Sequence, residues 1–196
     1  TGKGNYSGTV ERAYKIAPKP VAVTDSANET YDGTVKTLKI AEGDEIETGV
    51  AGEVIKAQTP ATVTGTAQGT YDKLATEAVY VVEGGQGKIS NYSVTTTGTL
   101  TIGAQSIVDP TDPDDPDAKA AVADAPTDLV YNGADQTWKP AVTDAQGKTL
   151  EEGTDYEVSY GTDNRTDATA EGAPITVTIT GKGNYSGTVE RAYKIA

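Results

Sequence analysis

The chain contains no cysteine, histidine, methionine or phenylalanine, and it has a single tryptophan. Without cysteine, neither a disulfide nor a cysteine nucleophile is possible, and the redox compartment is not readable from cysteine pairing. Without histidine, the commonest general base is missing. No apolar run approaches the roughly 20 residues that a membrane helix needs. The sequence also has no signal peptide or sorting motif, as expected of a fragment.

Basic residues are also scarce, with 16 against 29 acidic residues and a net charge of −13. This balance disfavours nucleic acid, which binds to basic faces, and anionic membranes for the same reason. So many carboxylates guarantee chance pairs, but no sequence feature singles out one pair for hydrolytic chemistry. The glycine-rich sequence GKGNYSG connects two predicted strands rather than opening a helix, so it is not a phosphate-binding loop. We therefore expect no enzyme and no cofactor.

The residues that are abundant are strand formers and turn formers. Threonine, glycine, valine and aspartate are common, and there are eleven tyrosines against one tryptophan. Strand formers separated by turn formers are typical of an all-β chain. Tyrosine suits a small β-sandwich, because its ring fills the core while its hydroxyl group reaches a backbone partner or water.

The chain repeats itself without substitution. Residues 180–196 read TGKGNYSGTVERAYKIA, and residues 1–17 are identical. The copies begin at Thr1 and Thr180, so the period is 179 residues, which is too long for a solenoid turn and suits two small domains. We interpret the chain as one period of a longer tandem array together with the tail of the preceding repeat.

Each copy combines a turn with a strand. Glycine and asparagine in GKGNYSG tolerate positive φ, and Val, Tyr and Ile then alternate on one face. Together with the alternating residues 175–180, the second copy predicts a closing hairpin whose second strand covers residues 188–195. In the first copy, residues 9–16 predict the same strand without its hairpin partner. We expect that strand to pair with another molecule or to lie against the first domain.

The rest of the chain predicts further strands, with residues 41–58 interpreted as a loop plus one short strand. These predicted strands cover residues 35–40, 61–66, 77–82, 91–102, 129–131, 136–142 and 156–160. The run DPTDPDDPD at residues 109–117 is the centre of a predicted linker that spans residues 105–121. Its prolines and the repulsion between its aspartates favour an extended chain. The predicted organisation is therefore a closing strand at 1–17, a domain at 18–104, the linker at 105–121, and a domain at 122–196.

Short motifs in this order resemble known repeats. They are YDGT at 31–34, NY at 91–92 with the ending GTLTI at 98–102, LVYNG at 129–133, DYEVSY at 155–160, and GKGNYSGT at 181–188. The motifs at residues 31–34, 91–92 and 98–102 resemble the YDG/MBG-type repeats of bacterial surface proteins. The motifs at residues 129–133, 155–160 and 181–188 resemble the related Ig-like repeats of the same proteins. The resemblance implies two β-sandwich domains in tandem, MBG-type and Ig-like, joined by the Asp/Pro-rich linker. It also implies an extracellular location at the bacterial cell wall.

The sequence offers few candidate sites. Trp138 with Tyr131 predicts an exposed aromatic platform for a sugar or peptide, although a core tryptophan is the commoner arrangement in a sandwich. The Asp/Pro linker and the acidic residues 42–47 are open as calcium sites or as solvated surface, and we assign no metal. An isopeptide bond, as in similar surface domains, has Lys19 or Lys139 and Asn91 or Asn184 as nominal partners.

The resemblance and the perfect copy together predict a structural function. We expect a stalk or spacer module that projects a distal adhesive region of a large adhesin-like surface protein, with neighbouring repeats of the same chain as its partners. The alternative is that the repeats themselves bind host glycan or matrix protein, with avidity from their number.

Overall fold

The computed structural model describes residues 1–75, 77–108, 121–127, 129–170 and 172–196. These residues form many short strands and no α-helix, which confirms the all-β class. No helix in this described part is long and apolar enough to cross a membrane. One turn of 3-10 helix, Ile89–Asn91, is the helical element.

The described residues contain fifteen strands in chain order. They are β1 (Lys19–Thr30), β2 (Lys36–Lys39), β3 (Ile46–Val50), β4 (Glu53–Thr59), β5 (Thr62–Gly65), β6 (Gly69–Ala75), β7 (Val79–Glu83), β8 (Tyr92–Gly103), β9 (Gln105–Ser106), β10 (Ala121–Val122), β11 (Val142–Thr143), β12 (Tyr156–Tyr160), β13 (Ile175–Gly181), β14 (Tyr185–Ser186) and β15 (Thr188–Tyr193). They build small sheets in the orders β1-β8-β6, β3-β4-β7, β12-β13-β15, β2-β5, β10-β11 and β14-β9.

The chain divides into two compact units. Unit 1 consists of Thr1–Asp25, Lys39–Thr62 and Lys73–Gly98, and unit 2 consists of Ser26–Leu38, Val63–Asp72 and Thr99–Ala196. Unit 2 therefore draws on more of the chain than residues 122–196. The domain boundaries set from the sequence stay a prediction.

Unit 1 contains an antiparallel hairpin that the sequence pattern did not reveal. The sequence of residues 41–58 predicts a loop with one short strand, but these residues hold β3 and most of β4, which pair antiparallel and continue onto β7. The prediction was wrong because a threonine occupies an inward position. Thr48 is 3% exposed, and its hydroxyl donates to the Glu53 carbonyl at 2.8 Å and accepts from the Val50 amide at 3.0 Å. Burial of Thr48 is therefore compensated by hydrogen bonds.

Unit 2 is built on β12, β13 and β15, which are antiparallel. Thr180 pairs with Thr188 and Ile175 with Tyr193, as the predicted closing hairpin requires. Alternate residues of these strands point into one apolar cluster. Its members are Ile107, Val122, Val142, Leu150, Tyr156, Ile175, Val177, Ile179, Tyr185, Val189, Tyr193 and Ile195. Burying one such side chain fully stabilises the fold by about 1.5–3 kcal/mol.

The start of the predicted linker belongs to this unit. β9 pairs parallel with β14, and Ile107 is fully buried in the apolar cluster. The Ile107 amide donates to the Ser186 carbonyl at 2.8 Å. An apolar side chain and a paired backbone hold residues 105–107 in the unit. The Asp/Pro run at residues 109–117 lies outside the described residues, so its extended form stays a prediction.

Three other predicted strands are not strands here. Residues 9–16 are exposed and form no strand, residues 136–142 form a strand only at β11, and residues 129–131 form only an isolated bridge at Leu129. Tyrosine hydroxyls hold the second segment: Tyr156 donates to the Pro140 carbonyl at 3.1 Å, and Tyr160 donates to the Trp138 carbonyl at 2.7 Å. These side-chain bonds occupy carbonyls that a strand ladder would otherwise use.

Candidate functional site

Two Tyr-Asx-Gly turns with the same geometry lie in unit 2. In the first, the Asp32 carboxylate accepts from the Thr34 amide at 2.9 Å, and in the second the Asn132 side-chain oxygen accepts from the Ala134 amide at 2.9 Å. The glycine that follows the Asx residue has φ +80° at Gly33 and +78° at Gly133. Such a φ is favourable only for glycine or a few polar residues. The motif thus specifies a local turn.

The two turns are also tied down in the same way. The Tyr31 amide donates to the Gly103 carbonyl at 2.8 Å, and the Tyr131 amide donates to the Ala196 carbonyl at 2.8 Å. Gly103 and Ala196 each directly follow a buried isoleucine that ends an alternating strand pattern. In the sequence, NYSV at 91–94 and GTLTI at 98–102 parallel NYSG at 184–187 and RAYKI at 191–195. The two hydrogen bonds show that this similarity extends to backbone pairing.

The surroundings of the two tyrosines differ. The Tyr31 ring packs edge-on against Tyr185 with centroids 5.6 Å apart and contacts the apolar cluster. Tyr131 is instead 54% exposed, and its neighbour Val130 is 66% exposed. The Tyr131 ring is thus accessible to a ligand, as the predicted platform requires, and its binding role stays a prediction.

Trp138, the other member of the predicted platform, is half-buried. It packs against the apolar cluster and meets Tyr193 edge-on, with ring centroids 6.3 Å apart. Its backbone carbonyl is held by Tyr160, whose ring lies 4.7 Å from the Arg165 guanidinium carbon. Trp138 therefore has a packing role, and Tyr131 is the more accessible of the two aromatic residues.

Short hydrogen bonds hold the charged side chains of Asp135 and Arg165 near these aromatic residues. The Thr137 side chain and amide both donate to Asp135, and these bonds together with the nearby Arg165 lower the pKa of the Asp135 carboxyl. Arg165 in turn donates to Thr137 Oγ1 at 2.7 Å and to the Thr162 carbonyl at 2.8 Å. A shallow depression of about 330 Å³ lies nearby, lined partly by Gly161, Thr162, Asp167 and Thr169.

A second polar depression of about 380 Å³ adjoins the first turn. Its lining includes Asp32, Lys36, Gln105 and Gln146. Lys36 Nζ lies 2.6 Å from Asp32 Oδ2, and that ion pair with the Thr34 hydrogen bonds holds the pKa of the Asp32 carboxyl well below its usual range. The Asp32 carboxylate is therefore occupied by the hydrogen bonds of the turn and by Lys36, so its role is structural.

Asp144 is the buried acid of unit 2. It is 7% exposed and accepts hydrogen bonds from the Gln146 and Lys148 amides and from the Tyr185 hydroxyl, the last at 3.0 Å. Burial and this hydrogen bond raise the pKa of Tyr185 above its ordinary value. Asp144 thereby joins the turn at Gln146 and Gly147 to the loop that carries Tyr185, and all its partners are structural.

The repeated loop has the same fold in both copies. Gly2 donates to the Gly8 carbonyl at 2.7 Å, as Gly181 does to Gly187 at 2.9 Å. The positive-φ positions also agree, with +70° and +98° at the third and seventh loop residues of the first copy and +63° and +91° in the second. The loop geometry is therefore encoded locally.

The strands after the two loops are not alike. In the second copy Val189, Tyr193 and Ile195 are at most 5% exposed, whereas Val10 and Tyr14 in the first copy are 70% and 89% exposed. Identical residues thus lie in a core at one end of the chain and in solvent at the other. In the second copy, β13 begins before the repeated sequence, runs into its first two residues and pairs with residues 188–193.

Several acidic residues outside these turns pair with lysines. Within the acidic segment 42–47, Glu42 lies 2.7 Å from Lys39 and Glu45 lies 2.9 Å from Lys56. No group of three or more acidic residues in the described part of the chain is placed to hold a metal ion. Lys139, a nominal isopeptide partner, forms an ion pair with Glu152 at 3.1 Å.

Comparisons with known proteins give no further assignment. No protein-family model, no curated protein and no solved structure matches this chain.

Proposed function

We propose that the chain is a non-catalytic tandem-repeat stalk module of a large bacterial cell-surface protein, where it projects a distal adhesive region. In this proposal its Ig-like and MBG-type β-sandwich domains are joined by the Asp/Pro-rich spacer, and its partners are neighbouring repeats. The observation that carries the proposal is the perfect copy at a distance of 179 residues, whose loop makes the same backbone turn at both places. A module that is repeated so faithfully contributes mainly through the number of its copies.

Two hydrogen bonds that hold residues 195 and 196 in unit 2 support a module that bears load at this end. The Ala196 amide donates to the Leu129 carbonyl at 2.9 Å, and the Thr169 amide donates to the Ile195 carbonyl at 2.8 Å. Leu129 and Ile195 pair in parallel, so a pull along residue 196 loads these hydrogen bonds in shear. A net charge of −13 opposes collapse of neighbouring repeats onto one another.

Small-angle scattering of chains with one, two and three periods tests the spacer function. We expect the radius of gyration to rise nearly in proportion to the number of periods, roughly twofold from one to two. A compact arrangement would raise it only about 1.3-fold, because the radius of a globule grows as about the 0.38 power of length. A rise of that smaller size would contradict the proposal. Measurements at low and high salt control for charge repulsion between repeats.

A second candidate function is binding of host glycan or matrix protein by each repeat. The exposure of Val130 and Tyr131 side by side favours it, because exposed aromatic residues commonly anchor such ligands. If this surface binds a ligand, Tyr131→Ala should weaken binding about tenfold or more while changing the free energy of unfolding by less than about 0.5 kcal/mol. Binding to a glycan array or to immobilised matrix protein measures the first effect, and urea unfolding measures the second. Tyr6→Ala, at another exposed tyrosine, is the matched control.

A further inference from the structure

The turn of residues 131–133 joins a chemically labile side chain to an unhindered backbone nitrogen. The chain has six asparagines, and Asn132 is the one that a glycine follows. Asparagine is among the residues that degrade on heating, because the backbone nitrogen of the next residue can attack its side-chain amide. A side chain on that next residue hinders the attack, and Gly133 has none. The sequence thus places the most reactive asparagine of the chain in this turn.

The surroundings of the turn leave this reaction unobstructed. Asn132 and Gly133 are both exposed, so water can reach the amide and ammonia can leave. Gly133 has φ +78°, and a Cβ atom built there would meet no atom closer than the Tyr131 hydroxyl oxygen at 3.8 Å. The backbone nitrogen of Gly133 is therefore not enclosed by packed side chains.

The turn also orients and polarises the asparagine side chain. Asn132 Oδ1 accepts a hydrogen bond from the Ala134 amide at 2.9 Å, which holds the side chain beside the peptide group of Gly133. Attack on Cγ would place negative charge on this same oxygen. A fixed N–H donor stabilises such a developing charge. The hydrogen bond that defines the turn thereby favours attack by the Gly133 nitrogen.

We propose that Asn132 is a site of spontaneous deamidation, at which the folded chain acquires a carboxylate beside the exposed Tyr131 without any enzyme. The Gly133 nitrogen loses its proton and forms a bond to Asn132 Cγ, and the bond from Cγ to Nδ2 breaks with release of ammonia. Water then opens the resulting five-membered imide. Opening at Cγ gives aspartate, and opening at the main-chain carbonyl gives isoaspartate. The net reaction consumes one water and releases one ammonia.

The first Tyr-Asx-Gly turn shows that the aspartate product fits. Asp32 accepts from the Thr34 amide at 2.9 Å, as Asn132 does from its own turn, and Lys36 compensates its charge at 2.6 Å. The residue four positions after Asn132 is Gln136, which carries no charge. Deamidation of the second turn therefore keeps its shape in the aspartate product but adds a negative charge that has no lysine at the equivalent position.

The isoaspartate product alters the turn itself. It routes the main chain through Cγ and so adds a carbon atom to the backbone between Tyr131 and Gly133. The side-chain oxygen that accepts from Ala134 is then part of the main chain. The neighbouring hydrogen bond, from the Tyr131 amide to the Ala196 carbonyl at 2.8 Å, depends on the same turn. Isoaspartate should therefore loosen the backbone that carries the exposed Tyr131 ring.

The experiment follows deamidation of the folded chain by peptide mapping and mass spectrometry, in which each event adds about 1 Da. Asn164 is the internal control, because it is also exposed and its Oδ1 accepts from the Thr166 amide at 3.1 Å, but Arg165 follows it. Asn132 should convert about tenfold or more faster than Asn164. Its rate should rise about tenfold or more from pH 6 to pH 8, since attack requires a deprotonated nitrogen. Enzymatic methylation of isoaspartate identifies the imide route.

Two variants separate the modification from its consequence. Asn132→Gln would need a larger ring for the same attack and should stay unmodified. Asn132→Asp carries the new charge with a normal backbone. In the isoaspartate fraction, isolated by anion exchange, the Tyr131 amide should exchange hydrogen about tenfold or more faster than in Asn132→Asp.

Several results would overturn the proposal. They are equal rates at Asn132 and Asn164, conversion without isoaspartate, and conversion in the urea-unfolded chain but not in the folded chain. The last result would mean that the fold protects Asn132. Equal exchange of the Tyr131 amide in the isoaspartate fraction and in Asn132→Asp would contradict the effect on the turn. None of these results depends on the spacer function, which the scattering of tandem chains tests separately.

Discussion

Ile195→Ala should lower the free energy of unfolding of unit 2 by about 2–5 kcal/mol, whereas Ile16→Ala should change it by less than about 0.5 kcal/mol. The two isoleucines occupy the same position of identical 17-residue sequences. Ile195 is fully buried in the apolar cluster, so its truncation leaves a cavity, while Ile16 is 82% exposed. Local sequence cannot produce the difference, which therefore measures what the rest of unit 2 contributes around Ile195.

Urea unfolding followed by tryptophan fluorescence measures this effect. Trp138 is the single tryptophan of the chain and packs against the apolar cluster of unit 2, so its emission reports on that unit. Equal losses of stability in the two variants would mean that residues 9–16 are packed as well as residues 188–195.

The repeated segment also shows how far sequence patterns determine this fold. The glycine and asparagine positions of GKGNYSG specify the loop without help from the rest of the chain, since the loop is the same at both places. The alternation of Val, Tyr and Ile is necessary for a strand, but it is not sufficient. A strand is stabilised by pairing and by burial of one face, and both depend on residues elsewhere in the chain. The hairpin was therefore predictable at residues 175–195 and the strand at residues 9–16 was not.

Side-chain hydrogen bonds explain why two other segments differ from the structure that their sequence patterns predict. These segments are the β3–β4 hairpin and residues 136–142. A buried threonine with satisfied hydrogen bonds replaces an apolar residue at Thr48, so the alternation is hidden. In the second case the alternating residues 136–142 are held by the hydroxyls of Tyr156 and Tyr160. Side-chain hydrogen bonds to distant carbonyls leave no periodic signal in the sequence.

The candidate aromatic site was only partly predictable. Tyrosine and tryptophan near a turn indicate aromatic surface, but their exposure depends on what packs above them. Tyr31 and Tyr131 occupy equivalent turns, yet Tyr185 covers only the first. The sequence also contained no sign that Asp144 would be buried beneath Tyr185, because its three partners come from two separate parts of the chain.

These buried tyrosines lead to the second large effect, a steep loss of stability of unit 2 in alkali. Tyr156, Tyr185 and Tyr193 are 6%, 2% and 2% exposed, and burial raises the pKa of each hydroxyl above its ordinary value. The neutral hydroxyl is therefore favoured in the folded state. The unfolded chain loses these protons near pH 10, while the folded chain still holds them.

The sign of the effect follows from linkage. Where the folded state binds more protons than the unfolded state, the free energy of unfolding falls as pH rises, by about 1.4 kcal/mol per pH unit for each group. The contribution is fully present below pH 10 and disappears as the pH rises through the folded pKa values. Three such tyrosines give a slope of at most about 4 kcal/mol per pH unit above pH 10.

Urea unfolding of unit 2 at pH 8, 9, 10, 10.5 and 11, followed by Trp138 fluorescence, tests this slope. Tyr185→Phe is the internal control, because it removes one titrating group and should reduce the alkaline slope by about 1.4 kcal/mol per pH unit. At pH 8 the same variant should lose stability by roughly 1.5–3 kcal/mol, since its hydrogen bond to the buried Asp144 carboxylate is gone. A free energy of unfolding that stays level between pH 9 and pH 11 would contradict the burial of these hydroxyls in a common core.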